Sequence, residues 1–149
     1  MSHITLKQLQ PDQFPALQRF YKQNGYKGKP GGKDQIWCLM DTEQQIVAAV
    51  RLCQQAGELI LRGVWVDKQL RGKGLGAELL SQLAATGTLT ECYCFPYVGL
   101  EGFYQQAGFE VVPTAPAQLN SLLERYNRKG EQVCLMHFNK PHPAGIDDN

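Results

Sequence analysis

Apolar residues recur along this chain with two alternating periods. Residues 3–9 alternate, with Ile4 and Leu6 on one side, as a short strand does. From Pro11 and Asp12 the period lengthens, and Phe14, Leu17, Phe20 and Tyr21 form a helical stripe. Four glycines and a proline within residues 25–33 break both periods, so this stretch is read as a mobile loop. Residues 35–40 and 45–52 have the composition of strands, and the polar turn at residues 41–44 joins them as a hairpin. Residues 58–66 form a third β-rich segment. It contains Gly63, and a glycine inside a strand marks a bulge or a close approach to the backbone.

The helical period returns over residues 74–85, with Leu75, Leu79, Leu80 and Leu83 on the buried stripe and Gly87 as the stop. Residues 88–95 follow as a strand closed by Pro96, and residues 98–106 as a short helix stopped by Gly108. A strand at 109–112, a polar helix at 116–128 and a strand at 132–138 complete the order. Residues 141–149 have the character of an unstructured tail. This succession predicts an α/β (α+β) sandwich, a mixed, mostly antiparallel sheet of about six or seven strands flanked by helices, in one domain over residues 1–140.

Composition narrows the function classes. Lys and Arg together number 15 against 14 Asp and Glu, which argues against nucleic-acid binding through a basic surface and gives no sign of membrane steering. The five cysteines include no Cys-x-x-Cys pair, and their odd number in apolar stretches fits reduced, buried thiols better than disulfides. Cys92 and Cys94 are the only close pair, and the three histidines lie far from them in sequence, so no metal is expected. The N-terminal run has no apolar signal core, and no apolar run nears the length of a membrane span, which points to the cytoplasm.

The informative stretch is residues 64–80. A buried strand ends, a few residues turn, and Gly72, Gly74 and Gly76 lead into an amphipathic helix. Glycines there let backbone N–H groups converge at the positive end of the helix, a site for phosphate oxygens to which Arg71 and Lys73 can add charge. A P-loop is excluded because no Gly-Lys-Ser/Thr ends the run. Gly72-x-Gly74-x-x-Ala77 satisfies the loose dinucleotide fingerprint, but residues 67–71 intervene after the strand and the preceding hairpin does not suit a parallel nucleotide-binding unit. A tight turn with no ligand is the remaining plain alternative.

The arginine-led pattern Arg71-x-x-Gly74-x-Gly76 resembles the acetyl-CoA signature of the GNAT acetyltransferase superfamily. Downstream, the run Leu100-Glu101-Gly102-Phe103-Tyr104, followed by Gly108-Phe109, resembles that family's second motif. The resemblance spans roughly residues 46–112. It implies two neighbouring strands that splay apart, with the pantetheine arm of acetyl-CoA between them along the backbone of Val64, Trp65 and Val66. The N–H groups of Gly72, Lys73, Gly74, Leu75, Gly76 and Ala77 would hold the diphosphate. It further implies direct attack by an amine, an N–H such as that of Val66 facing the developing oxyanion, and Tyr104 as general acid toward the leaving thiolate.

The chain departs from the family pattern at two places. Tyr97 stands where many relatives have an asparagine, and Cys92 stands where some have a glutamate base. Glu58 shares strand parity with Arg62, Val64 and Val66, which makes it the candidate base, although a solvated residue at a strand start fits the same position. Tyr26, Lys27, Lys29 and Lys33 on the glycine-rich loop, with Tyr93 and Tyr97, are candidates for the acceptor side, the loop acting as a lid. The expected partners are acetyl-CoA and a primary amine, small molecule or protein, in a monomer or homodimer. The alternative is a non-catalytic module that senses acetyl-CoA and binds a protein partner.

Overall fold

The computed structural model describes residues 3–112 and 114–139. The expected tail at 141–149 lies outside them. The strands are β1 (Thr5–Leu9), β2 (Gln35–Met40), β3 (Ile46–Gln55), β4 (Glu58–Val66), β5 (Cys92–Cys94), β6 (Phe109–Val111) and β7 (Met136–Phe138). The helices are α1 (Phe14–Gln23), α2 (Leu75–Ala85), α3 (Glu101–Gln106) and α4 (Ala117–Arg128). The seven strands form one sheet in the order β1-β2-β3-β4-β5-β7-β6. Every pairing is antiparallel except β4 with β5, the pair joined through α2. The mixed, mostly antiparallel sheet expected from the sequence is the observed one.

Helices cover both faces. On one side α2 packs Leu75, Leu79, Leu80 and Leu83 against Ala48, Val50, Leu52 and Leu61, and Phe103 and Tyr104 of α3 join the same cluster. On the other side Leu17, Phe20 and Tyr21 of α1 pack on Ile36, Cys38 and Ala49, while Leu119 and Leu122 of α4 pack on Ile60 and Tyr93. No helix among the described residues is long and apolar enough to cross a membrane.

Three strand expectations are corrected, the first two by competition for backbone hydrogen bonds. The strand expected at 88–95 shortens to Cys92–Cys94, because the N–H groups of Thr88 and Leu89 both turn back to Leu83 O (3.0 and 3.1 Å) and close the end of α2. The strand expected at 132–138 shortens to Met136–Phe138. Its first residues pair instead with the segment after β5, through Cys134 N to Pro96 O and Val98 N to Gln132 O, while the Asn127 side chain clasps Val133 at both N and O. β3 runs on to Gln55, three residues past its expected end at 52, and returns through a two-residue turn at Ala56 and Gly57. Both turn residues have positive φ (55° and 77°), the primed turn that suits the twist of a hairpin.

Candidate active site

β4 carries a bulge at Gly63. Ala49 faces Trp65, whereas Arg51 faces Arg62, so the register with β3 moves by one residue across this point. Gly63 has φ +68, and a Cβ there would lie 2.9 Å from Tyr21 Oη and 3.1 Å from Tyr26 Oη. The extra residue reverses the faces of the strand. Before it, Ile60 and Arg62 point to the α4 side, where Arg62 Nη2 donates to Tyr126 Oη (2.8 Å). After it, Val64 and Val66 point to the α2 side and Trp65 to the α1 side.

The parallel pairing of β4 with β5 is short. Ile60 faces Tyr93 and Leu61 faces Cys94, and beyond them the strands separate. Asp67 N donates to Val47 O across the β3–β4 ladder (2.9 Å), so alternation turns Trp65 toward β3 and the N–H groups of Val64 and Val66 toward the gap. A cavity of about 610 Å³ opens on the α2 side of this gap, lined by residues 64–66, Arg71, the glycine turn and α3. In that turn Gly72 and Gly74 have φ of 83° and 81°, and a Cβ on either would meet nothing within 4 Å. The turn is therefore a bare concave backbone. The first bond of the helical ladder here is Glu78 N to Gly74 O, which leaves the N–H groups of Leu75, Gly76 and Ala77 directed out of the helix start. Gly76 is needed for another reason: its Cβ would lie 3.2 Å from the Phe103 ring, where α3 crosses. A diphosphate fits the donors and the space of this turn.

Arg71 is largely engaged by the protein. Its Nε donates to Val66 O (3.1 Å), its Nη2 reaches Asn24 O (3.4 Å), and its guanidinium lies over the Trp65 ring. It braces the end of β4 as well as lining the cavity. Lys73 is exposed and does not line it.

A second cavity, of about 340 Å³, opens on the α1/α4 side of the same gap. Tyr26, Arg62, Trp65, Phe95, Tyr97, Tyr126 and Glu131 line it, and Val64, Trp65, Leu100 and Tyr104 belong to both cavities. Tyr104 therefore stands at the junction. Its ring packs edge-on against Phe103 and Phe109, and among the described residues its hydroxyl has no hydrogen-bond partner. Burial, with smaller contributions from Cys94 and Tyr26, raises its pKa well above the usual 10.0. It stays a neutral proton donor throughout the ordinary pH range.

The loop at residues 25–33 is fastened to the sheet, contrary to the mobile lid expected from its glycines. Arg51, buried on β3, donates to Lys29 O (3.1 Å), Asp34 Oδ2 (3.0 Å) and Tyr26 Oη (2.9 Å). Tyr26 stacks between Tyr21 and Trp65 and forms part of the second cavity. Lys27, Lys29 and Lys33 are exposed, and none lines either cavity. A loop of this composition can still be ordered when a buried guanidinium takes up one of its carbonyls and a tyrosine hydroxyl beside a neighbouring carboxylate.

The other acceptor candidates divide. Tyr97 lines the second cavity, and its hydroxyl donates to Glu131 Oε1 (3.0 Å). Tyr93 is buried under α4, stacks on His137 and lines neither cavity. Glu58 opens β4 beside the Ala56-Gly57 turn and also lines neither. Its shared parity with Val64 and Val66 is broken by the bulge at Gly63. Among the described residues no group of three or more His, Cys, Asp or Glu is placed to hold a metal.

Arg62, Phe95, Tyr126 and Glu131 are site residues that the sequence pattern did not single out. Arg62 left a signal, a charge in the middle of an apolar strand. The other three reach the cavity from α4, the segment after it and the end of β5, which no local spacing connects.

The family model for the acetyltransferase (GNAT) domain matches residues 32–111. No curated protein sequence matches the chain. Among solved structures the chain is similar to a GNAT-family acetyltransferase from Staphylococcus aureus (TM-score 0.63, 16% identity, covering 93% of this chain and 99% of that one). It is also similar to the ribosomal-protein-S18-alanine N-acetyltransferase of Escherichia coli (TM-score 0.66, 13% identity, 96% and 97% covered). A third similarity is to N-acetylglutamate synthase of Neisseria gonorrhoeae in complex with coenzyme A and N-acetyl-glutamate (TM-score 0.66, 11% identity). That match covers 95% of this chain and 36% of the synthase. At these identities the likeness is one of fold.

Proposed function

The chain belongs to the GNAT acetyltransferase family, and on that premise we propose that it transfers the acetyl group of acetyl-CoA to a primary amine by direct attack in a ternary complex. The observation that carries this reading is the junction of the two cavities at Val64 and Tyr104. A donor whose diphosphate rests on the glycine turn, with its arm along the open edge of β4, presents its thioester there. The amine then enters from the opposite face of the sheet. When bound, acetyl-CoA supplies a carbonyl carbon open to attack and a thiolate as leaving group.

The chain's residues have distinct tasks in this scheme. Val64 N–H faces the gap and lines both cavities, so it, more than the Val66 N–H suggested by the motif, is the donor to the oxygen on which charge develops. Tyr104 gives its proton to the departing sulfur as the N–C bond forms and the C–S bond breaks, and regains one from solvent. The proton lost by the amine passes to water in the open second cavity. Direct attack is favoured over an acyl-enzyme, because Cys94, the cysteine lining the acceptor cavity, is held protonated by burial. Glu58 takes no part.

Calorimetric titration with acetyl-CoA tests the donor site. Wild-type protein is expected to bind one equivalent, and Gly74→Trp, which fills the concave turn, to bind none while still folded by circular dichroism. A screen of amines read by free-thiol release follows. No binding by folded wild-type protein refutes the reading. Binding without thiol release from any amine would support the sensing module instead.

A further inference from the structure

We propose that the acceptor is an amine that also carries a carboxylate, a free amino acid or a close analogue, and that Arg62 holds that carboxylate. This rests on the acetyl-transfer reading above and names the substrate class for the same site.

The argument begins with two arginines. Arg51 and Arg62 face each other across β3 and β4 on the same side of the sheet. Like charges directly opposite each other destabilise a sheet unless each is compensated. Arg51 is compensated, by Asp34 at 3.0 Å. Among the described residues Arg62 forms no such ion pair. Its partners are neutral: Nη2 donates to Gln55 Oε1 and Tyr126 Oη, and its guanidinium lies over the Phe95 and Tyr126 rings. These contacts hold the plane of the group and use one of its three nitrogens. Nε and Nη1 make no hydrogen bond to the described residues and are not sealed from solvent. They belong to a side chain that lines the acceptor cavity.

An oriented guanidinium with a free edge is a fork for a planar monoanion, which two parallel N–H groups grip together. A single uncompensated positive charge matches a carboxylate better than a phosphate dianion. The cavity also has a place for the other end of an amino acid. Among the described residues Glu131 carries its only carboxylate, steadied by Tyr97 Oη. Arg62 and Glu131 in one cavity complement a zwitterion, carboxylate to the first and ammonium to the second. The ammonium gives one proton to cavity water before it attacks as the neutral amine, and a second as the N–C bond forms. Arg62 and Val64 line this same cavity from either side of the Gly63 bulge, so one small molecule held there lies beside both the fork and the thioester.

The same features disfavour polyamines. Three aromatic faces able to cradle a cation, those of Trp65, Phe95 and Tyr126, are already covered by Arg71 or Arg62. A second cation would meet an uncompensated guanidinium.

The test offers acetyl-CoA-loaded protein a panel of L-amino acids, their carboxamides and spermidine, and follows thiol release. The best amino acid is expected to exceed its own amide in kcat/KM by roughly 10–100-fold, the range of a charge-assisted hydrogen-bonded contact. Arg62→Gln is expected to raise KM for that acid by a similar factor, leave kcat nearly unchanged and erase the acid–amide difference. Arg62→Lys, which keeps the charge without the fork, should restore part of it. An amide or spermidine used as well as the acid overturns the proposal. So does an acid–amide difference that survives in Arg62→Gln, or protein that binds acetyl-CoA yet acetylates no amino acid. Failure to bind acetyl-CoA would refute the donor site itself, and this proposal with it.

Discussion

Replacing Gly63 by alanine separates two costs that usually come together. The first is conformational: at φ +68 an L-residue pays about 1–2 kcal/mol. The second is steric. The new Cβ would stand 2.9 Å from Tyr21 Oη, 3.1 Å from Tyr26 Oη and 3.3 Å from Arg51 Nε. Tyr21 is 1% exposed and cannot swing aside, and its hydroxyl donates to Gly63 O at 3.1 Å. Overpacking of this kind costs about 1–3 kcal/mol, and the weakened hydrogen bond adds about 1 kcal/mol. Gly63→Ala should therefore lose about 3–6 kcal/mol.

Gly57→Ala is the matched control, since Gly57 has a similar φ of +77 with nothing within 4 Å of its Cβ. It should lose only the conformational part, about 1–2 kcal/mol. Urea denaturation of both variants at neutral pH measures the difference. Adding Tyr21→Phe to Gly63→Ala removes the closest atom, so the pair should lose less than the sum of the single losses. Equal losses for the two glycine variants, or strict additivity with Tyr21→Phe, would refute the idea that the packed hydroxyls keep position 63 small.

Tyr104→Phe should lower kcat by roughly 100-fold, within the range for a general acid. Acetyl-CoA binding and thermal stability should hold, because the ring contacts with Phe103 and Phe109 do not use the hydroxyl; an unchanged kcat removes Tyr104 from the chemistry. In wild-type protein the raised pKa keeps this phenol protonated, so no loss of kcat below pH 10 should trace to its ionisation. Stability should fall as pH rises above 9. Burial pushes Cys38 and Cys92 up to about 12 and Cys53 up to about 11 from 9.0, so the unfolded chain releases thiol protons that the folded chain retains. Each such thiol removes up to about 1.4 kcal/mol of stability per pH unit between 9 and its folded-state value, and almost nothing below 9. A urea midpoint under reducing conditions that stays flat from pH 8 to 10.5 would contradict that burial. Ala56→Asn should raise stability by about 0.5–1 kcal/mol, because asparagine tolerates the left-handed conformation that Ala56 adopts at φ 55; a lower thermal midpoint would show that the turn is held by something else.

The glycine turn was legible because everything it needs is local: Arg71, Gly74, Gly76 and the helix they open are neighbours in sequence. The same holds for the α2 stripe and for the β2–β3 hairpin, where Asp41 Oδ1 accepts from both Glu43 N and Gln45 N. Gly63 was legible as a bulge but not in its effect. Whether a bulge reverses the faces of a strand depends on register with β3, and parity counted straight through it led to Glu58. The loop at 25–33 was misjudged for a related reason, since the guanidinium that orders it comes from Arg51, far along the chain. The second cavity, the proposed acceptor site, was the least legible part. Arg62, Phe95, Tyr126 and Glu131 share no period, and only the tertiary fold assembles them.

The brevity of the β4–β5 pairing divides the sheet mechanically. β1 to β4 form one ribbon with long ladders, and β5, β7 and β6 form another with three-residue pairings. Two residue pairs stitch them, helped by the helices that straddle the seam. A donor arm lying in that seam, as proposed above, would act as a temporary extra strand and add the cross-links the polypeptide omits. On that reading occupancy is coupled to cohesion: the shorter ribbon should be the first region to open when the seam is empty, and the one whose amide exchange slows most when it is filled.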